Sequence, residues 1–248
     1  MIELIPVEGL PIIQSGDDLA TLLLARLRTM QPQNDDILVV TSKIVSKAEG
    51  RFCNLRDVRP SERAQELALA TRKDARLVQL ILDESEAVSR AAPGVLITRH
   101  RLGFVSANAA IDHSNVATDL DIVLLMPTDP DRSARAIEDC LERELNIHIA
   151  VVIVDSHGRP HRSGTVGVAV GVAGMPGMED WRGRLDLFGY ALQHTEIGLA
   201  DMVASAATLV LGQAAEGVPA VLVRGVTYTR RDGSAAEIIR PAAMDLYA

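Results

Sequence analysis

The alternation of apolar and polar positions predicts a chain in which short strands and amphipathic helices follow one another. The clearest strand is the apolar run at residues 149–154, which ends at Asp155. Six consecutive apolar residues, most of them β-branched, are typical of a strand buried on both faces of a sheet. Ligands of open α/β sheets bind beyond the carboxyl ends of such strands, so Asp155 is the first candidate for chemistry.

The same pattern predicts the other elements. Further strands are predicted at residues 3–7, 36–41, 95–98, 103–107, 121–126, 165–172 and 220–224. Helices are predicted at residues 17–27, after the capping residue Ser61, from 73 to about 91 with Pro93-Gly94 as the stop, at 131–145 and at 196–211. In the strand at 165–172, glycine and alanine alternate with valine, which predicts one closely packed face. The fold class is mixed α/β (α+β), and because no linker separates two halves we expect one domain over residues 1–248, built as two interleaved lobes.

Composition narrows the possible partners. The chain has 248 residues, 48% hydrophobic and only 3% aromatic, with a formal net charge of −8. Few aromatic side chains and a negative charge disfavour nucleic acid as a partner. No apolar run approaches the ~20 residues that span a bilayer, and no basic and apolar leader opens the chain, so we expect a cytoplasmic protein without a membrane partner. Cys53 and Cys140 belong to no paired motif and are expected to be reduced thiols.

The segment after the apolar strand carries several polar groups. Ser156 adds a hydroxyl, and Arg159 and Arg162 supply forked donors suited to phosphate or carboxylate. The alternative is a solvated turn in which both arginines are idle. His157 and His161 are interpreted as loop residues, because the intervening glycine and proline prevent a helix that would bring both to one metal.

Three other segments have comparable chemistry. Residues 7–11 contain a Gly-Leu-Pro corner that exposes backbone groups suited to a flat base, although most such corners are simple turns. Residues 40–50 place hydroxyls and two lysines beyond a buried strand, which suits a polyphosphate as well as a solvated basic turn. Residues 107–116 place an aspartate and two amides in a small-residue loop, which suits a metal carboxylate.

Five segments in this order resemble the coenzyme F420-0:L-glutamate ligase family, the γ-glutamyl ligases of deazaflavin biosynthesis. They are residues 7–11 (VEGLP), 41–50 (TSKIVSKAEG), 108–116 (NAAIDHSNV), 155–164 (DSHGRPHRSG) and 216–225 (EGVPAVLVRG). The resemblance implies that L-glutamate is joined to the lactyl carboxylate of the precursor, and further glutamate through its γ-carboxylate, as GTP is cleaved to GDP and phosphate. It also implies Mn²⁺ or Mg²⁺ at two sites, K⁺ as a helper, and an intertwined homodimer with a fold of its own.

The resemblance also implies roles for individual residues. Nucleotide contacts are expected from Gly9, Leu10, Pro11, Ile12, Ser42, Lys43, Lys47 and Asn115, with Gln213 as a metal or nucleotide contact. Metal ligands are expected to be Asp112 and Asp155 for one ion and Ser156 for the second. No catalytic base is assigned, and Arg159 and Arg162 are the candidates for catalysis.

The chain departs from the usual family pattern at three positions. Ala110 replaces a glycine, Ser156 replaces a threonine, and Gln213 stands where some relatives have glutamate. The chain is also expected to lack the flavin-reductase-like domain that follows this ligase in some actinobacterial versions. Two other functions stay open: a different metal-dependent carboxylate–amine ligase or phosphatase on the same scaffold, and a non-catalytic nucleotide-binding protein.

Overall fold

A five-stranded mixed sheet organises the chain, and each of its strands includes a segment that the apolar pattern predicts as a strand. The structure is a computed structural model that describes residues 1–244; the last four residues, where the predicted domain ends, lie outside this range. The described strands are Glu3–Pro6 (β1), Asp36–Thr41 (β2), Phe52–Asn54 (β3), Ser85–Ala92 (β4), Val95–His100 (β5), Val105–Ala107 (β6), Ile122–Leu124 (β7), Ile149–Arg159 (β8), Arg162–Ala173 (β9), Glu179–Asp180 (β10), Glu196–Ile197 (β11) and Ala220–Arg224 (β12). The described α-helices are Leu19–Met30 (α1), Ser42–Ala48 (α2), Glu62–Thr71 (α3), Ala75–Asp83 (α4), Pro130–Leu145 (α5) and Leu199–Leu211 (α6).

The main sheet has the strand order β1-β12-β2-β8-β9, and β2 and β8 run parallel in its interior. Helices α1 and α5 cover one face and α6 covers the other, which explains why residues 37–40 of β2 and 149–154 of β8 are all apolar. Thr41 lies opposite Val154 in the parallel register, so the carboxyl end of β2 lies beside the point where the apolar half of β8 gives way to Asp155.

Two glycines in β9 allow the helices to approach the sheet closely. A Cβ on Gly167 would lie 2.6 Å from the carbonyl oxygen of Ala204 in α6, and a Cβ on Gly171 would lie 2.5 Å from that of Pro130 in α5. The close packing expected in this strand is therefore present. However, the prediction of one closely packed face was wrong. A bulge in the β8–β9 pairing shifts the register between these two positions, so Gly167 faces α6 on one side of the sheet and Gly171 faces α5 on the other.

The segment after Asp155 is a strand and not the predicted loop. Strand β8 continues to Arg159, and its outer half pairs with β9 so that His157 lies opposite Val166. The turn of this hairpin contains His161, whose φ is +61°. Polar side chains do not stop the strand, because backbone pairing with β9 satisfies its hydrogen bonds.

A second sheet, β4-β5-β6, packs against α3 and α4. The predicted helix from 73 to about 91 was wrong in its second half, since α4 ends at Asp83 and β4 follows. Pro93-Gly94 does not stop a helix but forms the two-residue connection between β4 and β5, with Gly94 at φ +86°. Hairpin pairing with β5 outweighed the local helical pattern.

The other predicted strands and helices agree with the structure apart from their ends. Ser61 accepts a hydrogen bond from the backbone N–H of Ala64 and so caps α3, as predicted. Strands β6 and β7 are shorter than predicted, and α6 begins at Leu199 because Glu196 belongs to β11. Cys53 and Cys140 are unpaired thiols, as expected. Among residues 1–244, no helix is both long and apolar enough to cross a membrane.

Candidate functional site

A cavity of about 880 Å³ opens where β2 ends, beside residues 154–156 of β8. The parallel register of these two strands brings segments that are distant in sequence to one place. With the exception of Gly9, every residue predicted to contact nucleotide or metal lines this cavity: Leu10, Pro11, Ile12, Ser42, Lys43, Lys47, Asp112, Asn115, Asp155, Ser156 and Gln213. Gly9 precedes the lining corner and has φ +74°, a conformation that glycine adopts without strain.

The two lysines lie on a helix and not on the basic turn that the sequence left open. Helix α2 begins immediately after β2, and Lys43 and Lys47 are four residues apart, so they share one helix face. The Nζ of Lys43 donates to the carbonyl oxygen of Ser114 at 2.8 Å, and the Nζ of Lys47 donates to that of Asn115 at 2.6 Å. The lysines therefore hold the loop at residues 107–116 over the cavity. Burial, together with the charge of Lys43, lowers the pKa of Lys47.

The loop that carries Asp112 has a strained backbone. Asn108, Ala109 and Ala110 have φ values of +55°, +50° and +54°, which are unfavourable for residues with a Cβ. Glycine, the residue that the resemblance implies at position 110, would adopt this conformation without strain. The backbone N–H and carbonyl of Asp112 are each hydrogen-bonded at 2.9 Å to Leu124, so this aspartate is fixed in position.

The two aspartates have opposite electrostatic environments. Burial, together with the nearby charge of Asp155, raises the pKa of Asp112 to about 6, although Lys43 Nζ lies 3.4 Å from its Oδ2 and acts in the other direction. Burial alone would also raise the pKa of Asp155, but the contacts from His157 and Ser42 outweigh it and the pKa is lowered. The contacts of Asp155 thus favour its ionised form, whereas burial disfavours the ionised form of Asp112.

His157 is the site residue that the sequence interpretation missed. It was assigned to a loop, but it lies on β8 with its side chain buried, and its Nε2 is 2.9 Å from Oδ2 of Asp155. Ser42 Oγ donates to the other oxygen, Oδ1, at 2.8 Å. The signal available in the sequence was the spacing, since residues two apart on a strand point to the same face.

Ser156 points to the opposite face of β8 and meets the segment that follows α6. Its Oγ donates to Oε1 of Gln213 at 3.0 Å. Next to it, Nδ2 of Asn115 donates to the carbonyl oxygen of Ala214 at 2.7 Å, which closes the cavity between the loop at 107–116 and the segment after α6. The chain therefore brings Ser156 and Gln213 together as a pair.

The donor atoms at this edge fit a hard divalent cation. The carboxylates of Asp112 and Asp155, the hydroxyl of Ser156 and the amide oxygen of Gln213 are all oxygen donors, which Mg²⁺ and Mn²⁺ prefer. The raised pKa of Asp112 indicates a carboxylate whose charge a bound cation would balance.

The structure places Arg159 and Arg162 apart from these residues. They lie at the tip of the β8–β9 hairpin, are exposed, and do not line the cavity. Four residues along a strand separate Asp155 from Arg159, which at about 3.3 Å per residue is a separation of about 13 Å. The role of these arginines in catalysis stays a prediction.

Another cluster of metal-type ligands lies away from the cavity. Ligand atoms of Glu138, Glu142 and His148 are within 4.8 Å of one another. These groups already have protein partners, since His148 Nδ1 is 2.6 Å from Glu142 Oε1 and Arg135 donates to Glu138 at 2.7 Å. Their mutual contacts account for the arrangement.

Comparison with known proteins identifies similar chains. Residues 9–225 match the family model described as F420-0:gamma-glutamyl ligase. The chain is 43% identical over 250 residues to a protein named coenzyme F420:L-glutamate ligase from Methanothermobacter thermautotrophicus, covering 99% of this chain and 98% of the relative. Proteins of the same name from Archaeoglobus fulgidus and Methanopyrus kandleri are each 42% identical, over 99% of this chain and 96% of each relative.

Proposed function

Because the chain belongs to the F420-0:gamma-glutamyl ligase family, we propose that it joins L-glutamate to the coenzyme F420 precursor in a GTP-dependent reaction. The observation that carries this proposal is the presence of Asp112, Asp155, Lys43 and Lys47 around one cavity. Phosphoryl transfer depends mainly on positioning and charge neutralisation, and carboxylate-held cations together with lysines supply both.

The proposed chemistry activates a carboxylate, which by itself is a poor electrophile. An oxygen of the lactyl carboxylate attacks the γ-phosphorus of GTP, the bond from that phosphorus to the β–γ bridging oxygen breaks, and GDP leaves. The amine of glutamate, having lost a proton, attacks the carbonyl carbon of the acyl phosphate. The carbon–oxygen bond to phosphate then breaks, the nitrogen loses its second proton to phosphate or water, and an amide remains. Extension repeats these steps on a γ-carboxylate.

The cavity residues suit this sequence. Lys43 and Lys47, aided by Ser42, are positioned to bind phosphate oxygens, while Asn115 and the apolar corner at residues 10–12 can border the guanine. When bound, Mn²⁺ or Mg²⁺ at two sites would balance the negative charge of the phosphates, with K⁺ as an additional cofactor. The ligands would be Asp112 and Asp155 for one ion and Ser156 for the other, with Gln213 beside it.

We further propose a homodimer as the functional unit, with a second copy of this chain covering an exposed apolar arm at residues 181–192. Leu187 and Phe188 are 98% and 94% exposed, and Leu185 and Tyr190 are 69% and 59% exposed. The arm is ordered by its own hydrogen bonds, because Oδ1 of Asp186 accepts from the backbone N–H of Phe188 at 2.8 Å and of Tyr190 at 2.9 Å. An ordered loop with clustered apolar side chains in water is typical of a protein interface.

The decisive experiment incubates the purified protein with F420-0, GTP, Mn²⁺ and glutamate, and measures GDP and product mass together. We expect GDP release that requires both F420-0 and glutamate, and a product heavier by glutamyl residues. Phosphate release without glutamate would instead support a phosphatase, and GTP binding without turnover would support a non-catalytic protein. An Asp112→Asn variant serves as the inactive control.

A further inference from the structure

We infer that His157 is a positioning residue that fixes the carboxylate of Asp155 for cation binding. The inference rests on the proposed function, in which Asp155 is a cation ligand, and it assigns a role to a side chain that the proposed reaction does not otherwise use. The starting observation is the 2.9 Å separation between His157 Nε2 and Asp155 Oδ2.

The two oxygens of Asp155 are held from two different elements. Ser42, at the start of α2, donates to Oδ1, and His157, two residues further along β8, reaches Oδ2. A carboxylate offers about four acceptor positions. These two contacts, together with a backbone hydrogen bond from Ser156, fix the plane of the group and still leave an acceptor position for a ligand in the cavity.

The imidazole of His157 is itself held rigidly. Its side chain is 8% exposed, and its ring centroid lies 5.0 Å from that of Phe104. Phe104 stacks in turn on His100 at 4.8 Å, and His100 Nε2 is 3.6 Å from the buried carboxylate of Glu84. The ring of His157 therefore packs, tilted by 50°, against the stacked pair of Phe104 and His100, and it has little freedom to move away from Asp155.

If His157 served only to fill space, burying its polar ring would lower the stability of the fold. Its Nε2 is inaccessible to water, and the N–H is not aligned for an ideal hydrogen bond with Asp155. A buried nitrogen without a well-aligned partner costs about 1–3 kcal/mol, so an apolar ring would pack at this position at lower cost. The contact with Asp155 gives a reason for an imidazole here. Hydrogen bonds that orient a metal ligand commonly change metal affinity about 10- to 100-fold.

The test is calorimetric titration of Mn²⁺ into the nucleotide-free protein and its variants, which does not depend on turnover. His157→Phe keeps the ring and removes the nitrogen, and we expect its Mn²⁺ affinity to fall about 10- to 100-fold. His157→Gln places an amide N–H near the position of Nε2, so we expect it to recover most of the affinity. His100→Phe changes the ring stacked on Phe104 without touching Asp155, and we expect it to bind Mn²⁺ like the wild type.

The outcomes separate this inference from the proposed function. If the wild type does not bind Mn²⁺, the proposal of a cation site is refuted, and the positioning role of His157 is refuted with it. If the wild type binds but His157→Phe binds equally well, or if His157→Gln is as weak as His157→Phe, only the positioning role is overturned. Should His157→Phe not fold, Phe104→Leu loosens the ring without removing it, and unchanged affinity in that variant also overturns the role.

Discussion

Replacing each of the two site aspartates by asparagine should change stability in opposite directions. Asp112 has a pKa raised to about 6 in the folded chain, against an ordinary value of 3.8. The folded state therefore keeps a proton that the unfolded state has lost, and the stability of the metal-free protein falls as the pH rises through this window. At neutral pH the carboxyl of Asp112 is ionised in the folded protein, although burial disfavours that form. Asparagine cannot ionise, so Asp112→Asn should be more stable than the wild type at neutral pH.

The magnitude follows from the difference between these two pKa values. A difference from 3.8 to about 6 corresponds to about 3 kcal/mol at 1.36 kcal/mol per pH unit. The side chain of Asp112 is 34% exposed, so screening by water reduces the expected gain to about 1–2 kcal/mol. At about pH 5 the gain should shrink, because the wild-type carboxyl is then largely protonated in the folded state.

Asp155→Asn provides the matched comparison. The pKa of Asp155 is lowered, so its ionised form stabilises the fold above the ordinary pKa, and this contribution is lost as the pH falls. Losing charge-assisted contacts with Ser42 and His157 should destabilise the protein by about 1.5–3 kcal/mol at neutral pH.

Urea unfolding in the presence of a chelator, at neutral pH and at about pH 5, measures both effects. Added Mn²⁺ should stabilise the wild type and neither variant, because a ligand that binds only the folded state raises its stability. The electrostatic reasoning is refuted if both variants shift stability in the same direction without metal.

Three other predictions concern packing, binding and assembly. Gly171→Ala should lose about 1–3 kcal/mol of stability in urea unfolding because its Cβ would meet a backbone carbonyl, whereas Gly158→Ala, with nothing within 4 Å, should be nearly neutral. Lys47→Ala should weaken GTP binding in calorimetry more than glutamate binding, since an ammonium neutralises phosphate oxygens; equal losses would contradict its role. Phe188→Asp should raise the dimer dissociation constant at least about tenfold in sedimentation, and an active wild-type monomer at low concentration would contradict the proposed dimer.

Many of the residues that line the cavity could be predicted, because they follow apolar runs that identify buried strands in the sequence. The apolar runs before Thr41 and Asp155 are long enough to identify buried strands without any tertiary information. Family motifs then pointed to the residues that the structure places around one cavity. The sequence thus determined the mixed α/β class, the main strands and the composition of the site.

Tertiary structure decided what depends on pairing between distant segments. The pattern at residues 85–91 is compatible with a helix, and only the ladder with β5 makes it a strand. In the same way, pairing with β9 extends β8 beyond Asp155 and turns an apparent loop histidine, His157, into a buried neighbour of that carboxylate. Burial and the charge of Asp155, more than 40 residues away in sequence, raise the pKa of Asp112. The pKa of Asp155 is lowered by His157, which strand pairing places beside it on β8, and by Ser42 at the start of α2. Local sequence fixes backbone preference and chemical type, but charge environment and strand pairing are properties of the assembled sheet.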